Sequence, residues 1–561
     1  MRRALDAQVM TQFVLTALTG LLSLVMLYLG IAASNGTLPI PGPLDPLTGA
    51  TPLLGVMLGM LAACGALSWR TLLNGLRGLA GQPTADSMPT LAFLAAVVQL
   101  VVFLISPEEY IPATLHLVAG PAGLLLCFNL LGKATDAITQ RDGFLLVSST
   151  VDQSVADRLK DASTLHAVTR GLAEPRPSVL VRRPTQLFKG FLNAGAARRT
   201  SDKNQQQFAW LLSVCAVLSL VVTLIRQQSA GQAVSAMAAV FVVGTPLAGT
   251  LLSALPARLM QRSAAQVGAV IPGWKDIRQL GRINVVQITA KDLFPTGCVS
   301  LSGVNPVNTI DQSIVYAASM LAESGSLLRE VFLRMLDNNK LLVKVADRQT
   351  VYGKGYVGWI NGQRVLIGNR ALMSDYGIKL PSLDYEQRHT VNQRRVVYLA
   401  VSGKLFSMFQ MSYQRDPDTA AVLDSLRRSG LSLIVDCDDF NVDEALLEAA
   451  YSLPAGAVKV LTGAEREVMA PATAWLPESE GNMLHLGSFI SFVGGLEAAA
   501  GAAEGERKAA MVMCASVLLS CLLSLIMVFS AGLAKLALPY IVLYQVAWAV
   551  LSLLFPLLQR Y

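Results

Sequence analysis

Four short stretches carry residue types that could do chemistry. In "INVVQITAKDLFPTG" the apolar residues Val285, Val286 and Ile288 read as a short buried strand. In an α/β fold the position just past such a strand is where a nucleophile or phosphate-binding group usually sits. Here it holds Thr289, with Lys291 and Asp292 behind it. In "LSLIVDCDDFN" a second apolar run leads into Asp436, Cys437, Asp438 and Asp439. Carboxylates placed so could accept a transferred group or hold Mg²⁺. They could equally cap the helix that follows, whose N-terminus favours negative charge. Gly353-Lys354-Gly355 would let backbone approach a bound nucleotide, and is otherwise a turn; Gly368-Asn369 has the same two readings. Finally, Thr245-Pro246 interrupts a long apolar run, where proline breaks a helix and frees backbone carbonyls.

The elements that position these residues are set by an apolar composition. The 561 residues are 53% hydrophobic and 15% charged, with mean hydropathy +0.48, which points to membrane spans. Uncharged apolar runs of about 17–25 residues lie near 11–33, 52–69, 89–106, 110–132, 208–225, 233–256, 509–530 and 536–558. The first is too long to read as a signal peptide. Eight spans put both termini on one side. Residues 34–51 hold no Lys or Arg, while Arg2, Arg3, Arg70, Arg77 and the basic segment 133–207 fall opposite, with Arg226 and Lys535 as single exceptions. The positive-inside rule then makes the termini and both large loops cytoplasmic. The same rule accounts for the net charge of +7, and nucleic-acid binding is not expected. Seven cysteines and four histidines are dispersed, without metal-ligand spacing.

Between the spans, "DGFLLV" reads as a strand and the residues after it as a helix, in a loop long enough for a minimal domain only. The large segment alternates strands and helices as an α/β fold does. Residues 313–336 have helical periodicity, Asn361-Gly362 and Ser402-Gly403 read as hairpin turns, and Pro417 and Gly430 bracket a helix. A β-rich middle interrupts the α/β frame, which predicts a small domain inserted into a larger one.

These pieces resemble the P-type ATPases, and within them the heavy-metal (class IB) pumps. "GTPLAGTLLSALPARLMQRSAAQVGAVI" is similar to the family's proline-broken core span, and "LGRINVVQITAKDLFPTG" to the segment bearing its phosphorylated aspartate. "GKGYVGWINGQRVLIGNRALM" resembles its nucleotide-binding domain, and "DPDTAAVLDSLRRSGLSLIVDCDDFN" the helix and strand before its second phosphate-binding loop. The Asp436-x-Asp438 pair also resembles the haloacid-dehalogenase phosphatase pattern. The resemblance implies four spans over 1–132, a reduced actuator-like loop over 133–207 and spans five and six over 208–256. It implies a phosphorylation-like domain over 257–312 and 396–508, a nucleotide-binding-like domain over 313–395, and spans seven and eight over 509–558. The fold class it implies is a polytopic α-helical membrane protein of about eight spans. Its cytoplasmic α/β domain is haloacid-dehalogenase-like and carries an inserted α+β nucleotide-binding-like domain.

The departures bear on function. Thr289 stands where DKTGT has its aspartate, and a threonine without a base is a poor acceptor. GDGxND and TGES are absent, Cys-Pro-Cys is replaced by Thr245-Pro246-Leu247, and His-Pro by Gly325-Ser326. We therefore expect ATP hydrolysis to be lost, no catalytic residue and no metal centre. The nucleotide-binding candidates are Gly353, Lys354, Gly355 and Gly368, with ATP and Mg²⁺ held weakly if at all, and Thr245 and Pro246 mark a weak ion path. The expected role is regulatory, sensing or scaffolding, in a bacterial plasma membrane, the partners being the bilayer and another membrane protein. The alternative is a divergent cation transporter whose acceptor is Asp292 or Asp436, with Asp438 beside it.

Overall fold

The computed structural model describes the chain apart from Met1 and residues 36–37, 47–48, 82–83, 149–152, 192–199, 227, 308, 337–340, 391–392, 531 and 533–535; the basic residue expected at 535 lies outside the described residues. Two compact units result: a helical unit of Met1–Thr150, Gly190–Gly281 and Gly495–Tyr561, and an α/β unit of Val151–Lys189 and Arg282–Gly494.

Among the described residues six helices are long and apolar enough to cross a membrane: Arg2–Asn35, Ala50–Leu67, Ser87–Ile105, Thr200–Ile225, Phe489–Phe529 and Leu538–Leu558. The other two expected spans take different forms. The run near 110–132 is the helix Ala119–Val147, which starts later and continues through Lys133, Asp136, Arg141 and Asp142. The run near 233–256 is two helices, Ala230–Gly244 and Leu251–Gln266, separated where Pro246 has no N–H to donate. "FLLV" is likewise the end of Ala119–Val147 rather than a strand; a short apolar run does not distinguish the two. Helices approach closely at small residues, as in membranes generally. A Cβ on Gly120 would lie 2.6 Å from the Cα of Leu27, and one on Gly123 2.5 Å from Ser23 Oγ.

The α/β unit holds two sheets. The first runs in the order Val458–Val460, Ser432–Asp436, Val285–Thr289, Val179–Phe188, Gln153–Arg158, Met483–His485. Its first four strands are parallel, and the last two pair antiparallel. Val285, Val286, Ile288, Leu433, Ile434 and Val435 are buried, as parallel strands covered on both faces require. Strands Gln153–Arg158 and Val179–Phe188 come from the small loop. A lone two-stranded hairpin is marginal in water, and here it extends the larger sheet beside Val285–Thr289.

The second sheet is antiparallel, in the order Val299–Pro306, Lys404–Tyr413, Arg394–Val401, Gln363–Gly368, Gly355–Ile360, Ala346–Val351. It therefore draws in strands on both sides of 313–395. Asn361-Gly362 and Ser402-Gly403 are its tight turns, with positive φ at all four residues, the geometry that matches strand twist. The helical pattern over 313–336 is two helices, Ile310–Leu321 and Leu328–Arg334.

Candidate functional site

Thr289 ends its strand and lies abreast of Asp436 in the parallel register with Ser432–Asp436. The two candidates thus share the C-terminal edge of one sheet, the place where α/β folds bind ligands. Thr289 also N-caps the short helix Ala290–Leu293. Asp292 reaches back in a capping box: its Oδ2 accepts from the Thr289 N–H and from Thr289 Oγ1, both at 2.7 Å. The same oxygen is ion-paired with Arg182 of the strand Val179–Phe188, whose guanidinium also donates to Thr289 Oγ1 at 3.2 Å. The Arg182 and Asp292 side chains are only 13% and 11% exposed. Arg182 lies 5.9 Å from the Phe492 ring centroid. Burial, then the charge of Arg182, pushes the His485 imidazole down to about 3. Asp292 Oδ2, the oxygen that carries all three contacts, can attack a phosphoryl group only after losing a guanidinium and two hydrogen bonds. Arg182 carries no motif, and nothing local in the chain pairs it with a residue 110 positions away.

Asp436 and Asp438 are likewise engaged. Arg466, on the helix Gly463–Thr473, meets Asp436 at 2.5 Å and is ion-paired with Asp438. Asp439 is buried and accepts from Tyr413 Oη at 3.1 Å and the Asn441 N–H at 2.9 Å. Burial nevertheless pushes its carboxyl up to about 6. Gly325 and Ser326 fit this loop: a Cβ on Gly325 would lie 1.9 Å from Asp438 Oδ2, and Ser326 hydrogen-bonds Asp439. The cap of the next helix, Glu444–Tyr451, is Asp443, which accepts from the Leu446 N–H at 2.7 Å, and not the 436–439 cluster.

Gly353 and Gly355 border the same region. A cavity of about 460 Å³ lies between them and the acidic loop, with Tyr352, Tyr356, Asp438, Asp443, Glu444 and Arg466 in its wall. Lys354 is turned to Asp375, at 2.6 Å, and is absent from that wall. Gly355 and Gly368 are cross-strand partners. A Cβ on Gly355 would sit 2.5 Å from Gly368 Cα, and one on Gly368 2.3 Å from the Lys354 carbonyl, so strand approach alone requires both glycines. The cation in this wall, Arg466, is already paired with Asp436 and Asp438, and Glu444 adds a further carboxylate, a balance that does not suit the phosphates of a nucleotide. Among the described residues no group of three His, Cys, Asp or Glu is arranged to hold a metal ion.

No family model matches the chain. The silver-exporting P-type ATPase of Salmonella typhimurium is 20% identical over 313 residues, 53% of this chain and 36% of that protein. The copper-exporting P-type ATPase of Legionella pneumophila is 21% identical over 243 residues, 42% of this chain and 33% of that protein. The chain is related to the heavy-metal (class IB) P-type ATPases. Its match spans about a third of the length of these curated relatives. Among solved structures, one crystal structure of a zinc-transporting PIB-type ATPase is 14% identical with TM-score 0.48, covering 97% of this chain and 99% of that one. A second, of a zinc-transporting PIB-type ATPase in another state, is 14% identical with TM-score 0.49, covering 98% of each chain.

In this relative of the P-type pumps the break at Thr245-Pro246 is closed from within. Pro246 cannot donate to the Val242 carbonyl four residues earlier, and Gln545 Nε2 of the last helix does so at 2.6 Å. Thr245 Oγ1 donates to the Phe241 carbonyl at 2.7 Å. The residues around the break, Leu247, Met513, Tyr544, Gln545 and Trp548 among them, include no carboxylate and no thiol.

Proposed function

We propose that this P-type ATPase-like integral membrane protein has lost ATP-driven cation transport and acts as a non-catalytic regulatory, sensing or scaffolding protein. The observation that carries the proposal is the Arg182–Asp292–Thr289 cluster, which puts a threonine at the acceptor position and ties one oxygen of the neighbouring carboxylate to an arginine. The Gln545–Val242 bond supports it, since a pathway normally presents unsatisfied or ionisable groups to its cargo. On this reading the termini and the α/β unit are cytoplasmic, the membrane is a bacterial plasma membrane, and the partner is another membrane protein. The divergent-transporter reading needs Asp292 or Asp436 as acceptor, and each is held by an arginine.

The test is ATP hydrolysis by the purified full chain with silver, copper, zinc or cadmium ions present. The expected rate is that of a protein-free control. Metal-stimulated hydrolysis abolished by Asp292→Asn or Asp436→Asn would overturn the proposal.

A further inference from the structure

The amphipathic helix Trp69–Ala80 presents three faces. Thr71, Gly75 and Gly78 are buried against the chain that leads into Ser87–Ile105: a Cβ on Gly75 would lie 2.1 Å from Thr90 Oγ1, and one on Gly78 2.2 Å from Thr84 Cγ2. Trp69, Leu73 and Leu76 are exposed apolar residues at the same spacing. Arg70, Asn74 and Arg77 are exposed beside them. An apolar outward face next to a cationic one, with Trp at its start, suits a helix lying in a membrane–water interface.

At its start the chain turns at buried Ser68, whose hydroxyl donates to the Cys64 carbonyl at 2.6 Å. Beside this corner is a cavity of about 430 Å³. Leu15, Leu67 and Leu130 form its apolar wall, Arg70 and Lys133 are its two cations beside neutral polar residues such as Gln12 and Asn74, and among the described residues no carboxylate lines it. Lys133 is held by Asp86 at 2.8 Å, but Arg70 makes no ion pair among the described residues and lies 5.6 Å from the Trp69 ring centroid. Gln12 Oε1 is buried without a hydrogen-bond partner. The cavity therefore offers an uncompensated cation and an apolar trough, with Gln12 Oε1 closed off behind its wall.

We propose that this cavity binds an anionic glycerophospholipid of the surrounding bilayer, with phosphate at Arg70 and an acyl chain along Leu15, Leu67 and Leu130. The proposal is independent of whether the protein hydrolyses ATP. The test titrates the detergent-purified full chain with dioleoylphosphatidylglycerol or dioleoylphosphatidylcholine and counts bound lipid by native mass spectrometry. The glycerol lipid is expected to bind about fivefold more tightly, the worth of one basic residue near a lipid phosphate. Arg70→Gln should remove that preference, Arg70→Lys should keep most of it, and Arg77→Gln, on the same helix but outside the cavity wall, should leave it unchanged. Equal binding of the two lipids by the unaltered chain would overturn the proposal. So would an equal loss in Arg70→Gln and Arg77→Gln, which marks diffuse surface charge.

Discussion

Arg182 and Asp292, from segments contributed by different loops of the chain, form an ion pair at the edge of the sheet where Thr289 ends its strand. Breaking a buried pair by removing one partner leaves the other charge uncompensated and costs about 3–5 kcal/mol. The pair is slightly exposed, so the lower end applies: Arg182→Leu should destabilise the α/β unit by about 3 kcal/mol. Asp292→Leu should do the same, and the double variant should cost clearly less than the sum. Thermal unfolding of the three variants in detergent measures the coupling; additive effects would mean that the pair contributes nothing.

The strand before Thr289 was legible in the sequence because its apolar residues form a short run bounded by polar turns, and it appears as Val285–Thr289. The hairpins at Asn361-Gly362 and Ser402-Gly403 were legible because few residue pairs adopt two positive φ angles cheaply. The helix from Pro417 to Arg428 appears with Asp416 as its cap and Gly430 beyond its end. The site's closure was not legible. It depends on Arg182 and Arg466 reaching Asp292 and Asp438 across 110 and 28 residues, and no local pattern encodes which strands will be neighbours. The break at Gly325 was also hidden, because the apolar periodicity over 313–336 continues across it. Gly325 instead accommodates Asp438 from a distant loop.

Asp439 gives a pH dependence of definite sign. Its carboxyl titrates at about 6 in the fold against an ordinary value of 3.8. A raised carboxyl pKa contributes stability below the unfolded value, lost as pH rises through the folded one. From pH 4 to pH 7 the unaltered protein should therefore lose ground to Asp439→Asn, by up to about 3 kcal/mol. Unfolding of both proteins across that range gives the difference. A relative gain for the unaltered protein with rising pH would show Asp439 ionised and paired.

Gln545 holds the carbonyl of Val242, in the last turn of the helix that ends at Gly244. Gln545→Leu leaves that carbonyl unsatisfied in the helical unit, at a cost of about 1–3 kcal/mol. The backbone is already extended at Thr245, so Pro246→Ala does not return a helical donor to Val242, and Gln545→Leu should cost as much in that background. A cost clearly below about 1 kcal/mol in both backgrounds, read from thermal unfolding in detergent, would mean that the carbonyl finds another donor.

The central claim, that the acceptor position holds a threonine beside an arginine-paired carboxylate and receives no phosphoryl group, is tested most directly by labelling. The purified full chain is incubated with γ-labelled ATP and Mg²⁺, quenched in acid and separated on an acidic gel. We predict no protein-bound label, in the unaltered chain or in Asp292→Asn and Asp436→Asn. An acid-stable label that either substitution removes would contradict the account.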